Sequence, residues 1–368
     1  MKDINSLPMY IRLANSTMNR LPDLSNKWDH EYGVLLKGIE EVWKVTKDKT
    51  YFDYIQKSIG PNILENGNIK GYLLETYEMD NINSGRLFFE LYKETKEERY
   101  KKAAYLLRSQ FDTHPKSSVG VFLHKKDLKE INFIDSCYMG SVYLIQFAKE
   151  FNDSKIQDDV VAQLITMAEL NQNKETGLLV QGYNHTKKEF WADPVTGLSG
   201  SFWGRGLGWY SVAIIETLEL LPDNHPSKNK LVEIFTKLMA GVVKFQDEKA
   251  GVWYQVVDKG EQNGNYLEAS ASSMFTYSLA KGIRLGYLND NYKDCVNNAY
   301  NGLKEQFVKI DNDGTISIIR TCKSAGLGGP SHRDGSFKYY TSEVVADNDN
   351  KGVGTFLMAS VQVELLNK

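Results

Sequence analysis

Val42-Trp-Lys-Val-Thr-Lys-Asp-Lys-Thr-Tyr51 closes one apolar helical run and opens another, and Leu91-Tyr-Lys-Glu-Thr-Lys-Glu-Glu-Arg-Tyr100 does the same 49 residues later. Phe147 to Ile156 is a looser third copy, Leu218 to Ser227 a fourth with prolines in the turn, and Leu285 to Tyr292 a fifth. Each is a polar turn between two amphipathic stretches, so the chain reads as a series of antiparallel helix pairs. The helix before each turn is the more apolar, as in Ser141-Val-Tyr-Leu-Ile-Gln-Phe-Ala and Val212-Ala-Ile-Ile-Glu-Thr-Leu. The helix after it is striped, as in Tyr100 to Phe111 and Ile156 to Leu170. A helix apolar all round is buried and a striped one covers it, which predicts an inner and an outer ring. Gly354 to Leu366 reads as a sixth inner helix, and Ile4 to Leu21 supplies an outer partner for it. A closed ring of six pairs needs no capping repeats, so one domain over residues 1–368 is expected.

Between the pairs lie longer segments rich in glycine, aromatic and acidic residues: Glu75–Gly85, Val119–Gly140, Gly177–Gly208, Gly251–Ser273 and Gly314–Gly354. Long ordered loops on a rigid scaffold usually carry function, and here they are expected to line one mouth of the ring. Net charge is −3 with neither sign in a long block, which argues against nucleic acid or an anionic membrane surface as partner. Three cysteines without a close pair indicate neither a disulfide framework nor a zinc knuckle. The N-terminus lacks a signal-peptide core, and no apolar run approaches the roughly 18 residues of a membrane span. A cytoplasmic protein is expected, with no obligate protein partner implied.

The densest of these segments runs Trp191-Ala-Asp-Pro-Val-Thr-Gly-Leu-Ser-Gly-Ser-Phe-Trp-Gly-Arg-Gly-Leu-Gly-Trp209. Trp203 and Trp209 offer flat apolar faces suited to the C–H faces of sugar rings. Arg205 between them carries a planar fork matched to a carboxylate. Asp80, in Tyr-Glu-Met-Asp-Asn-Ile, and Asp135, in Phe-Ile-Asp-Ser-Cys-Tyr-Met-Gly, both open inner helices. Either alone reads as a helix N-cap. Opening successive inner helices, they point to the same mouth, and two carboxylates in an aromatic cleft suit acid–base work on a sugar. His124-Lys125 precedes Asp135, and His332-Arg333-Asp-Gly-Ser-Phe-Lys-Tyr-Tyr340 offers donors at several positions. His114, His185 and His332 show no metal-ligand spacing with acids, and Asp311-Asn-Asp-Gly314 lacks the downstream glutamate of a calcium loop, so neither metal nor other cofactor is expected. From the residues alone, an ordinary inverting glycosidase and a non-catalytic helical-repeat scaffold binding peptides or glycans also remain open.

Taken in order, these stretches, with Asp193-Pro-Val-Thr-Gly and the later Asn-Asp-Asn-Lys-Gly, resemble the unsaturated rhamnogalacturonyl hydrolases of glycoside hydrolase family 105, and more distantly the unsaturated glucuronyl hydrolases. The resemblance covers nearly the whole chain. It implies an all-α (α/α)6 barrel and an oligosaccharide substrate ending in a 4,5-unsaturated uronic acid left by a polysaccharide lyase. It implies hydration of the C4=C5 vinyl ether, after which the hemiketal opens and releases the adjoining sugar. Asp135 matches the family's general acid/base and Asp80 its partner. Arg205 matches an arginine near the uronate carboxylate, Trp203 and Trp209 the ring platforms, and Tyr32, His124 and Lys125 further cleft positions. Two departures stand out. Gln181-Gly-Tyr-Asn184 occupies the place of a His-Gly-Trp-Asp type segment, and Phe133 that of a tryptophan. Gln181 can hydrogen-bond a sugar but cannot act as an acid.

Overall fold

The computed structural model describes residues 7–368. An outer helix, α1 (Met9–Arg20), comes first, followed by the pair α2 (His30–Thr46) and α3 (Lys49–Ile59). The second inner element is broken into α4 (Asp80–Asn83), a 3-10 turn (Ser84–Leu87) and α5 (Phe88–Thr95), and is covered by α6 (Glu98–Thr113). The third begins with a π-helical turn (Cys137–Ser141) that runs into α7 (Val142–Phe151), covered by α8 (Ser154–Asn171). Two further pairs are α9 (Gly204–Leu220) with α10 (Lys228–Lys244), and α11 (Ala269–Arg284) with α12 (Lys293–Phe307). A short α13 (Phe337–Ser342) precedes the sixth inner helix, α14 (Asn350–Leu366). Helix α14 packs on α2, α11 and α1, which closes the ring as an (α/α)6 barrel. The expected outer partner began at Ile4; α1 begins at Met9, and residues 4–6 lie outside the described residues.

The recurring turn has a physical basis in its end residues. Lys47, Lys96 and Asn152 all take a left-handed conformation after an inner helix, each with its N–H bonded back to the preceding turn. Asp48 and Asp153 then cap the next helix with their carboxylates. Such a C-terminal residue followed at once by an N-cap reverses the chain within two residues. The inner helices are apolar or small all round: Ala269 to Ile283 of α11 and Lys351 to Val363 of α14 are continuously buried. Small residues set the spacing between α2 and α14. A Cβ on Gly38 would sit 2.5 Å from the Gly354 carbonyl oxygen, and one on Gly354 would sit 2.4 Å from that of Val34.

The all-helical expectation misses three short antiparallel ladders. They pair β1 (Ile131–Phe133) with β2 (Gly182–Asn184), β3 (Val308–Ile310) with β4 (Ile316–Ile318), and β5 (Thr321–Cys322) with β6 (Val345–Ala346). Strands of two or three residues are too short to show alternation. Asp311-Asn-Asp-Gly314 is the turn of the second ladder, with the Gly314 N–H donating to the Asp311 carbonyl at 2.9 Å.

Among the inner helices lies an ionic cluster with a buried centre. Arg86 donates to Glu216 at 2.8 Å, Tyr277 Oη to the same carboxylate at 2.7 Å, and Lys281 pairs with Glu219 at 2.7 Å. The Arg86 guanidinium lies over the Tyr138 ring at 5.1 Å, and Tyr138 stacks on Trp209 at 4.3 Å. Among the described residues, no helix is long and apolar enough to cross a membrane.

Candidate active site

A cleft of about 560 Å³ opens at the loop end of the barrel. Four of the five long segments contribute to its wall. The segment Gly251–Ser273 does not reach the cleft; it works from behind, where Gln255 holds the Tyr340 carbonyl at 3.0 Å and Glu268 lies beside Arg205.

Asp80 is the first residue of α4 and Asp135 the first helical residue after β1, so both acids open inner elements. Their side chains face other side chains, Asp80 that of His124 and Asp135 that of Gln181. Asp80 Oδ1 lies 3.3 Å from His124 Nε2, whose other nitrogen is 3.0 Å from Ser136 Oγ. Burial alone would raise the Asp80 carboxyl, but the charge and hydrogen bond of His124, with His30 and Lys125 nearby, outweigh it and hold Asp80 well below the usual carboxylate range. Burial pushes the His124 imidazole down, and Asp80 more than offsets this, so His124 is raised and favours its charged form.

Asp135 is set the opposite way. Burial raises its carboxyl, and the opposing effects of His124 and of the hydrogen bond from Gln181 do not cancel the rise. The Gln181 amide donates to Asp135 Oδ2 at 3.2 Å, and the Tyr340 hydroxyl donates to Gln181 Oε1 at 2.6 Å. Two carboxyls in one cleft are thus pushed apart, Asp80 toward the anion and Asp135 toward the acid. That division is what acid–base catalysis requires.

The local fold explains the placement. Phe133 pairs with Gly182 across the β1–β2 ladder, and the Ile134 N–H donates to the Gln181 carbonyl at 3.0 Å, which brings Asp135 beside Gln181. The Met79 N–H donates to the His124 carbonyl at 3.0 Å, which brings Asp80 beside His124.

The structure brings Asp80, Asp135, His124, Lys125, Gln181, Trp203, Arg205, Trp209 and Arg333 to this one cleft. Two of the expected residues lie outside its lining. Tyr32 is half-buried on α2 under the Lys27 ammonium, 4.9 Å from the ring, and His332 is exposed and packs against Phe190 at 5.0 Å. The tryptophans are buried, Trp203 stacked on Tyr340 at 5.8 Å and Trp209 on Tyr138. Arg205 is not a free fork. Its Nη1 donates to the Cys322 carbonyl and lies 3.9 Å from Glu268, and the guanidinium lies over Trp203 at 5.0 Å. Asp193-Pro-Val-Thr-Gly is an exposed turn, with Asp193 Oδ1 accepting from Val195 and Thr196.

Sequence reading missed His30, Glu31 and Lys351, which line the cleft, and Glu78 and Tyr340 behind it. It also missed one possible ligand set, since Glu78, Asp80 and His124 bring ligand atoms within 4.8 Å of one another. Cationic groups already stand there: Lys125 Nζ is 2.7 Å from Glu78 Oε2, and His124 faces both acids. The charge of the donor set is therefore balanced by the chain's own side chains.

Nearly the whole chain is similar to known proteins. Residues 9–366 match the family model described as Glycosyl Hydrolase Family 88. A C. acetobutylicum structure described as a glycoside hydrolase from family 105 is 43% identical, with a TM-score of 0.95 over 98% of this chain and 100% of that one. The unsaturated rhamnogalacturonyl hydrolase YesR of Bacillus subtilis is 22% identical over 70% of this chain and 72% of its own. The unsaturated glucuronyl hydrolase of Bacillus sp. GL1 is 14% identical and shares the fold, with a TM-score of 0.70 over 96% of this chain and 95% of that one.

Proposed function

Because the chain belongs to glycosyl hydrolase family 88, we propose that it releases a 4,5-unsaturated uronic acid from the non-reducing end of lyase-generated pectic oligosaccharides, with the unsaturated rhamnogalacturonan disaccharide as the favoured substrate. The observation that carries the mechanism is the opposed setting of the two acids. Asp135, raised by burial, delivers its proton to C4 of the vinyl ether. Positive charge then develops along C5 and the ring oxygen, and the Asp135 carboxylate left behind accepts a proton from the water that attacks C5. Asp80 stays ionised beside His124 and supplies fixed negative charge near that cation. The hydrated product is a hemiketal, which opens and frees the adjoining sugar. Arg205 and Arg333 offer cationic donors for the uronate carboxylate. No step calls on a metal, and the reaction is assigned to the cytoplasm.

The test is loss of ultraviolet absorbance when the purified protein meets unsaturated galacturonyl-rhamnose, with an unsaturated glucuronyl disaccharide and the saturated analogues as comparisons. Hydration consumes the conjugated chromophore and places the water oxygen on C5, whereas ordinary glycoside cleavage places it on C1 before the freed sugar opens, so the reaction is also run in isotopically labelled water. Activity on saturated saccharides with no loss of absorbance would replace this reading with an inverting glycosidase.

A further inference from the structure

Tyr340 lies 159 residues from Gln181 in sequence, yet its hydroxyl is 2.6 Å from the Gln181 carbonyl oxygen. It is fully buried, its ring is nearly parallel to Trp203 at 10°, and its own carbonyl is held by Gln255 Nε2 at 3.0 Å. Buried hydroxyls usually find an acceptor for their proton, and that of Tyr340 donates to Gln181 Oε1. With Oε1 so occupied, the amide nitrogen is the end left to face Asp135, and it does so at 3.2 Å from Oδ2. Were the amide reversed, its NH2 would meet the phenol oxygen, the phenol proton would lose its acceptor, and Oε1 would confront a carboxylate oxygen. One arrangement satisfies all three groups.

We infer that Tyr340 is a positioning residue for the hydrolytic reaction: by fixing the Gln181 amide, it reserves Asp135 Oδ2 as a hydrogen-bond acceptor and leaves Oδ1 as the oxygen that carries the transferable proton. The relay rests on the proposed role of Asp135 for its catalytic meaning, but the placement of the proton does not. The charged groups facing Asp135 are His124 and Asp80, and the relay acts in addition to them. Burial, with the charge of Asp135, holds the Tyr340 phenol well above its ordinary value, so it remains a donor at every working pH.

Tyr340→Phe keeps the ring against Trp203 and removes only the hydroxyl. The protonation of Asp135 is read from the carboxylic-acid C=O infrared band that disappears in Asp135→Asn, followed against pH in wild type and in Tyr340→Phe. Freed from the phenol, the amide can turn its oxygen toward Asp135 and favour the protonated acid. The midpoint is then expected to move to higher pH by about one pH unit, the scale of one hydrogen bond to a charged group. On an unsaturated disaccharide, the alkaline limb of kcat moves with it. In a Gln181→Leu background, Tyr340→Phe should add nothing, because the phenol acts through the amide. A midpoint unchanged in Tyr340→Phe, or a shift of equal size with Gln181→Leu already present, overturns the relay. Should Tyr340→Phe fail to fold, Gln181→Leu alone must raise the midpoint, and an unmoved midpoint there refutes the donated bond. The infrared titration needs no turnover, so inactivity of the wild type on unsaturated sugars would count against the proposed function and leave the relay to be judged by its own result.

Discussion

Asp135→Asn is the sharpest perturbation this cleft offers. An asparagine of the same shape keeps its carbonyl oxygen toward Gln181 Nε2, where Asp135 Oδ2 now accepts at 3.2 Å, and turns its amide toward the cleft. It has no proton to give to carbon. General acid–base assistance typically contributes about 10²–10⁴-fold, so kcat should fall by that order, equal to about 3–5 kcal/mol of barrier. Stability should move the other way. The Asp135 carboxyl is raised in the folded protein, so its ionisation opposes folding above the ordinary aspartate range and has no such effect below it. Replacing it with a neutral amide removes that penalty, and the melting temperature at neutral pH should not drop. The assay is chromophore loss on one unsaturated disaccharide with a thermal melt on the same samples. A variant that keeps more than about a tenth of wild-type kcat, above what loss of an acid–base group allows, removes Asp135 from the chemistry.

Asp80→Asn should slow turnover and shift both limbs of the pH–rate profile, because the two carboxyls share one cleft; a change confined to one limb would show that they act independently. The Asp80–His124 pair should stabilise the fold most between the ordinary aspartate and histidine values. The contribution of depressed Asp80 is lost as pH falls through its folded value, and that of raised His124 is lost as pH rises through its own, so His124→Gln should lower the melting temperature most at mildly acidic pH. A deficit constant from pH 4 to 9, a window chosen around ordinary values of roughly 3.9 and 6.5, would contradict this. Arg205→Lys keeps the charge but loses the bond to the Cys322 carbonyl, so KM should rise roughly tenfold or more with a lower melting temperature; unchanged KM and kcat would take Arg205 out of binding. Activity should survive exhaustive EDTA treatment, and loss restored by a divalent ion would reverse the reading of Glu78, Asp80 and His124. Gly38→Ala, whose new methyl would meet the Gly354 carbonyl oxygen at 2.5 Å, should cost about 1–3 kcal/mol in denaturant unfolding, and an unchanged midpoint would mean that α2 and α14 can part freely.

The ring was legible because its signals are local. A left-handed residue and an acidic cap fall next to each other in Lys47-Asp48 and Asn152-Asp153, and each inner helix carries its burial in its own composition. Asp80 and Asp135 were legible for the same reason, since each opens such a helix. What the sequence concealed is pairwise. His30, Lys351 and Tyr340 carry ordinary helical or loop signatures, and their meaning appears only when the ring closes and sets them near Asp80, Glu31 and Gln181. The loop His332 to Tyr340 drew notice to its exposed end, yet the residue that reaches Gln181, and through it Asp135, is the buried one that closes it. Arg205 misled in a related way, because a guanidinium amid glycines looks unengaged until the Cys322 carbonyl is found against it.

The three-residue ladder between Ile131–Phe133 and Gly182–Asn184 separates what must stay constant from what can vary. Asp135 and Gln181 sit just beyond the same rung, so the spacing of acid and amide is inherited from strand register and owes nothing to the length of the chain between them. On the other side of that rung the chain runs out through residues 185–197 before rejoining at the Tyr183–Leu198 bridge. That excursion is anchored to the ladder, since its Trp191 is buried against Phe133 with ring centroids 6.2 Å apart and its His185 reaches Asn132 Oδ1 at 2.9 Å. Its exposed turn, Asp193 to Thr196, is where length can change without disturbing the strand ahead of Asp135. A shift of the ladder by a single residue would turn the strand's side chains to the opposite face and part Asp135 from Gln181 in one step.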